Sequence, residues 1–256
     1  MTWNCLALRA VQTFAFVFFF FAHPCLCQQK ISEAEKLLFD SVNRERVERK
    51  LTPLKWDEGL ARAARKHAEQ MAEHDLLEHQ VPGEADLATR AQEEGASFSH
   101  ITENIAMGVS ADKFHDGWMH SPGHRANILD AESDSIGIAI AENETELYAV
   151  EDFAHAVKVL SIEVQEKRVE GLLIARGLRL LKIGDDARKS CEVDQDYVGN
   201  SKAKYIAHYE TPNISQLPEA LEKEIQSRRY KSAAVGACPQ KGPARFTRFR
   251  IVVLFY

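Results

Sequence analysis

Cysteine is scarce where it would matter. Of five cysteines, Cys5, Cys25 and Cys27 fall within the first 27 residues, leaving Cys191 and Cys238 for the rest of the chain. That excludes a multi-disulfide scaffold and a cysteine-based zinc cluster. Basic charge is also short: 32 Lys and Arg stand against 38 Asp and Glu, a net charge of -6, so nucleic acid and anionic membrane surfaces are not expected partners. Long apolar runs are missing too. The run 10–22 contains Gln12 and falls short of the roughly 20 residues that span a bilayer, and the apolar last six residues are shorter still. The chain has no H-E-x-x-H helix and no glycine-flanked nucleophile turn, which removes two common hydrolase devices.

What is present starts with an export pattern. Arg9 precedes the apolar run, and the polar "HPCLCQQK" follows it, the order of a secretory signal; residues 1–27 are read as a signal peptide and the protein as secreted or extracytoplasmic. In such a compartment Cys191 and Cys238 either form a disulfide or remain as two buried thiols. A bridge would close a loop worth about 4 kcal/mol on the chain-entropy model.

The body of the chain opens with helical signals. Ser32 and Glu35 form a capping box ahead of Leu38 and Val42, and "LTPLKWD" interrupts the pattern. A second helix is expected over about 57–76, with Leu60, Ala63, Ala64, His67, Ala68 and Met71 on one face, so that His67 reads as a packed residue rather than a ligand. "ADLATRAQEEG" suggests a turn or two of helix, and a further helix is expected over about 111–119. "SIGIAIAE" and "ELYAVEDFAHAV" alternate like neighbouring antiparallel strands joined by "NET". The boundary falls near Leu160. Beyond it "KVLSIEVQEKRVEGLLIARGLRLLKIGDDARK" reads as short strands around Gly171, Gly177 and Gly184; "SQLPEALEKEIQSRRY" reads as an amphipathic helix, and "AAVGAC" and "RFTRFRIVVLFY" as strands. With no Pro/Gly/Ser-rich linker between them, the two regions are expected to share an interface.

"GWMHSPGHRANIL", residues 117–129, carries the most chemistry. Proline disfavours helix at the residue before it and glycine weakens the helix after it, so a break is expected at Ser121-Pro122-Gly123 and His124 is expected on a turn, with Asn127 closing that turn locally. The break also argues against His120 and His124 as a pair sharing one helical face.

Taken together, "LFDSVNRERVERKLTPLKWDEGLARAARKHAEQM", "LEHQ", "TENIAMG" and "GWMHSPGHRANIL...SIGIAIA" resemble, in order and spacing, the CAP superfamily of cysteine-rich secretory, antigen 5 and pathogenesis-related proteins, most of all its bacterial secreted branch. The resemblance implies an α+β fold: a CAP-like α-β-α sandwich over 31–157, followed by a smaller α+β region over 160–256 for which no family is suggested. It also implies a cleft holding two histidines and two acids. By motif these are His79, Glu103 and His124; the place of the second acid, three residues after Trp118, is taken by Ser121.

Two imidazoles and a carboxylate can ligate zinc or another divalent cation with one position open, can form a metal-free hydrogen-bonded trio, or can simply hold two loops together. The leading expectation is a non-enzymatic binding or interaction protein whose cleft takes a metal, a small ligand or an extracellular partner. A metal-dependent hydrolase and an extracellular scaffold are the alternatives.

Overall fold

The structure, a computed structural model, describes residues 31–183, 185–193, 196–240 and 246–256. The proposed signal peptide lies outside these residues. The elements run α1 (Glu33–Glu48), β1 (Lys55–Trp56), α2 (Glu58–His74), α3 (Leu87–Glu93), β2 (Phe98–Gly108), α4 (Phe114–His120), α5 (Pro122–Ile128), β3 (Ser135–Glu142) and β4 (Leu147–Ala156). They continue with α6 (Ile162–Ala175), β5 (Arg179–Leu180), α7 (Asp186–Glu192), β6 (Tyr205–Thr211), α8 (Glu219–Gln226), β7 (Ser232–Cys238) and β8 (Phe249–Phe255). The mixture is α+β, and residues 32–256 form one compact unit. Among the described residues no helix is long and apolar enough to cross a membrane.

Local chemistry accounts for the helix starts. The Ser32 hydroxyl accepts from the Glu35 amide while the Glu35 carboxylate accepts from the Ser32 amide, the reciprocal box expected for α1. Asp57 caps α2 through Leu60 N, and Asp86 caps α3 through Thr89 N.

The first sheet has strand order β1-β3-β4-β2, with β1 parallel to β3 and the other pairs antiparallel. One face is covered by α1, α4 and α5 through Leu38, Val42, Phe114, Trp118 and Ile128. The other is covered by α2 and α3. The second sheet, β5-β7-β8-β6, has the same order and the same directions strand for strand. It too lies between helices, with α6 and α8 on one face and α7 on the other.

The likeness extends to details. α1 and α6 close on the same three backbone bonds: Arg49, Lys50 and Leu51 donate to Arg46, Val47 and Arg46, and Arg176, Gly177 and Leu178 donate to Leu173, Ile174 and Leu173. The middle residue has positive φ in both, 61° at Lys50 and 85° at Gly177. In each sheet a strand glycine lets a helix lie against the backbone: a Cβ on Gly137 would stand 2.1 Å from Ala61 N, and one on Gly236 2.3 Å from Ala187 C. In each, a glutamate of the first helix reaches a strand amide and an arginine of the second helix. Glu35 accepts from Ile140 N at 3.1 Å and pairs with Arg65; Glu166 accepts from Ala237 N at 3.1 Å and pairs with Arg188.

Three expectations are corrected. The stretch over Gly171 is not a strand but α6, started by the Ser161 hydroxyl on Val164 N and burying Gln165, Val169 and Leu173 on one side. Gly171 sits mid-helix, where its weak propensity is outweighed by that buried stripe. Second, the helix does break at Ser121, whose backbone is extended, but Pro122 then serves as the first residue of α5, so His124 lies on a short helix rather than a turn. Third, Asn127 does not close a local turn; its amide donates to Glu103 O at 3.1 Å and Asn104 Oδ1 at 2.9 Å.

The two sheets are joined at the start of β2. Thr247 N donates to Phe98 O at 2.7 Å, Phe98 N donates to Thr247 Oγ1 at 3.2 Å, and the rings of Phe98 and Phe246 meet edge to face with centroids 6.2 Å apart. In the second sheet Cys191 of α7 and Cys238 of β7 are disulfide-bonded with Cα atoms 5.8 Å apart.

Candidate functional site

Glu103 sits on β2, where it pairs with Asp152 of β4, and its side chain is only 3 % exposed. A buried carboxylate needs partners on both oxygens, and it has them. Oε1 accepts from His79 Nδ1 at 2.8 Å, and Oε2 accepts from Arg90 Nη2 of α3. Arg90 is itself buried and also donates to the carbonyl of His79, so one guanidinium holds both ends of the His79–Glu103 pair. Behind it His67 of α2 is fully buried, donating Nδ1–H to Glu84 at 2.8 Å, with Nε2 3.6 Å from Glu103.

His79 itself remains 62 % exposed at the side chain, so the imidazole faces solvent while its Nδ1 is tied down. The Glu103 hydrogen bond raises its pKa above the ordinary imidazole value, with burial acting in the opposite sense. His124 is lowered, by burial first and then by the charge of His79 nearby. Its backbone carbonyl accepts from Asn104 Nδ2 at 3.2 Å, which ties α5 to β2 beside Glu103. The structure therefore brings His79, Glu103 and His124 to one place. Ser121 stands three residues earlier, at the α4–α5 break, and its side chain caps neither helix.

Two further acids lie under this surface. Glu151, fully buried beside Asn104, is pushed up to about 8 by burial, with the Asn104 hydrogen bond working against it. Burial, and then the charge of Glu103, drive Asp152 well above the carboxylate range. Glu151 thus favours the neutral form at pH 7, and Asp152 is shifted in the same direction. Trp118 anchors the neighbouring helix by donating Nε1–H to Ile105 O at 3.0 Å.

The sequence pattern makes His67 a packed residue and gives no role to Glu84, Arg90, Glu151 or Asp152, yet signals for them are present. Arg90 stands between Ala88 and Ala91 on the buried side of a short helix, and Glu151-Asp152 interrupts an otherwise apolar strand. Charged residues in such places are seldom buried unless paired.

A zinc-like ion wants three protein donors and an open position. Here Glu103 has both oxygens engaged and a guanidinium against one of them, and His79 has spent Nδ1. The donors left are His79 Nε2 and the His124 ring. Among the described residues no group of three or more His, Cys, Asp or Glu is arranged to hold an ion. As they stand, the side chains do not fit a three-ligand metal.

A family model described as the cysteine-rich secretory protein family, CAP, matches residues 39–154. This stretch is a CAP domain. The chain is 32% identical over 114 residues to the uncharacterized protein YkwD of Bacillus subtilis, covering 44% of each chain. It is 32% identical over 108 residues to the uncharacterized membrane protein YlbC of the same organism, covering 42% of this chain and 31% of that one. The match thus spans less than half the length of these two relatives. Among solved structures, an outer surface protein from Borrelia burgdorferi is 21% identical with a TM-score of 0.47, covering 50% of this chain and 96% of that one.

Proposed function

We propose that this is an exported CAP-domain protein that binds a ligand rather than transforming one, and that the ligand is received on the imidazoles of His79 and His124. The observation that carries the reading is the commitment of Glu103. With one oxygen on His79 and the other on Arg90, it is a positioning group for an exposed imidazole, not a free general base or nucleophile. Two neighbouring imidazoles can hold a divalent cation between them or grip the polar head of a small molecule. Export is supported by the order of residues 1–27 and by the Cys191–Cys238 disulfide, since such bonds persist in oxidising compartments.

Isothermal titration with zinc and with calcium tests the imidazole pair, using the chain without residues 1–27 beside its His79→Ala, His124→Ala variant. Binding that the variant loses is expected. Equal binding by both proteins removes the pair as the receiving group. Chelator-sensitive turnover of a peptide or ester panel, abolished by Glu103→Gln, would replace the binding reading with hydrolysis.

A further inference from the structure

The CAP domain does not close its own cleft. A cavity of about 390 Å³ opens beside His79 and Glu103, and its apolar walls are Leu87, Ile101 and Phe246. Phe246 lies far outside the CAP stretch 39–154. It is held there firmly: Thr247 pairs with Phe98 in both directions, the Gln240 amide donates to Phe246 O at 2.7 Å, and the ring rests edge-on against Phe98. The ring is nevertheless only partly buried, so one side remains turned to the cavity.

We propose that Phe246 completes the ligand site, and that the site takes a small, flat, apolar molecule with one neutral hydrogen-bonding head, such as a hydroxyl on one or two fused rings. The inference rests on the reading of His79 as a ligand contact. The walls suit an apolar body, because aromatic and aliphatic surfaces with a few polar groups at one end are the usual make-up of a small-molecule site, and the volume suits one such molecule. The head is assigned from its surroundings. His79 Nδ1 is committed to Glu103, which leaves Nε2 as the group a ligand meets. A hydroxyl can donate to Nε2 of the neutral ring or accept from the protonated one. An anionic head would meet no Lys or Arg among the lining residues, while the Asp86 carboxylate shares the cavity and opposes it. Phe246 is thus a specificity-determining residue contributed by the second sheet's sequence to the first sheet's cleft.

The test is titration of 2-naphthol into the chain without residues 1–27, with 2-naphthoate as the charged comparator. Expected are saturable binding of 2-naphthol, at least tenfold weaker binding by Phe246→Ala and by His79→Ala, and weaker binding of the naphthoate than of the naphthol. Zinc binding, if the imidazole pair shows it, should be unchanged in Phe246→Ala. Should that variant fail to fold, NMR on the unsubstituted chain takes its place, with contacts expected between naphthol protons and the Phe246 ring. Binding by a folded Phe246→Ala within threefold of the parent, no contact to the ring, or no binding of 2-naphthol at all would overturn the inference. If the His79 dependence survives while the Phe246 dependence does not, only this inference fails. If His79→Ala binds both probes as the parent does, the imidazole reading falls with it.

Discussion

The two sheets share strand order, helix placement, a glycine under the crossing helix and a Glu–Arg clamp, yet the strands of the first bury Glu103, Glu151 and Asp152 while no acid is buried on the described strands of the second. A single row across each sheet makes the contrast concrete. Starting at the glycine, the first sheet reads Gly137, Asp152, Glu103, and the second reads Gly236, Val252, His208. Where the first buries two acids behind Arg90 and His67, the second has valine and a single histidine. The covering helices differ in the same direction: α2 has 17 residues and brings His67, whereas α7 has seven and brings Cys191. A seven-residue helix is marginal by itself, and the disulfide to β7 holds it to the sheet. The scaffold and the site are therefore separable. The clamp, the glycine and the strand order build a sandwich in either case, and the cleft is an addition whose buried charges need their own partners.

The sharpest way to break this comparison is Arg90→Met. It leaves Glu103 and Glu84 buried without their cation, and should cost about 3–5 kcal/mol in denaturant unfolding. A cost under 1 kcal/mol would mean that the cleft charges are solvated after all.

A second effect, on the order of 5 kcal/mol across its whole range, comes from pH. The folded-state pKa of Glu151, about 8, lies above the ordinary carboxylate value of 4.5, so the folded chain holds a proton that the unfolded chain releases. Stability should fall as pH rises from about 4.5 to 8. Asp152 adds a slope of the same sign. Glu151→Gln should flatten much of this slope in unfolding midpoints taken at pH 5 and pH 8; an unchanged slope would place the titration elsewhere.

On the second sheet, replacing Cys191 and Cys238 by alanine should cost about 2–4 kcal/mol. Hydrogen exchange should quicken in β7 and β8 before β3 and β4, because α7 loses its tether. Uniform quickening would show that the two sandwiches open as one.

The smallest expected effect is at His79. Its folded pKa is raised, so the stability it adds is full below the unfolded value of 6.5 and is lost as pH rises through the folded one. With the side chain exposed, this slope is shallow, and His79→Gln should remove it without moving the stability at high pH.

Much of the first sandwich is legible in the residues. The cap at Ser32, the helical stripe of α2 and the alternation of β3 and β4 are local, reaching four residues at most or repeating every two, so they are expressed wherever the chain goes. The ordered motifs around His79, Glu103 and His124 identify the CAP stretch for the same reason. α6 is less legible because Gly171 and Gly177 look like strand breaks, when one lies within a helix and the other just past its end, at positive φ.

What the sequence by itself determined, then, is the helices α1 and α2, the paired strands β3 and β4, the CAP stretch and the single pair of cysteines left after residue 27. Only the tertiary structure decided that Arg90 meets Glu103, that Glu151 and Asp152 lie buried, that the second sheet repeats the first, and that Phe246 reaches the cleft. These are facts of register and packing between residues as far apart as the 149 positions from Phe98 to Thr247. No local propensity encodes such a meeting, because the free energy that selects it comes from burying both partners at once.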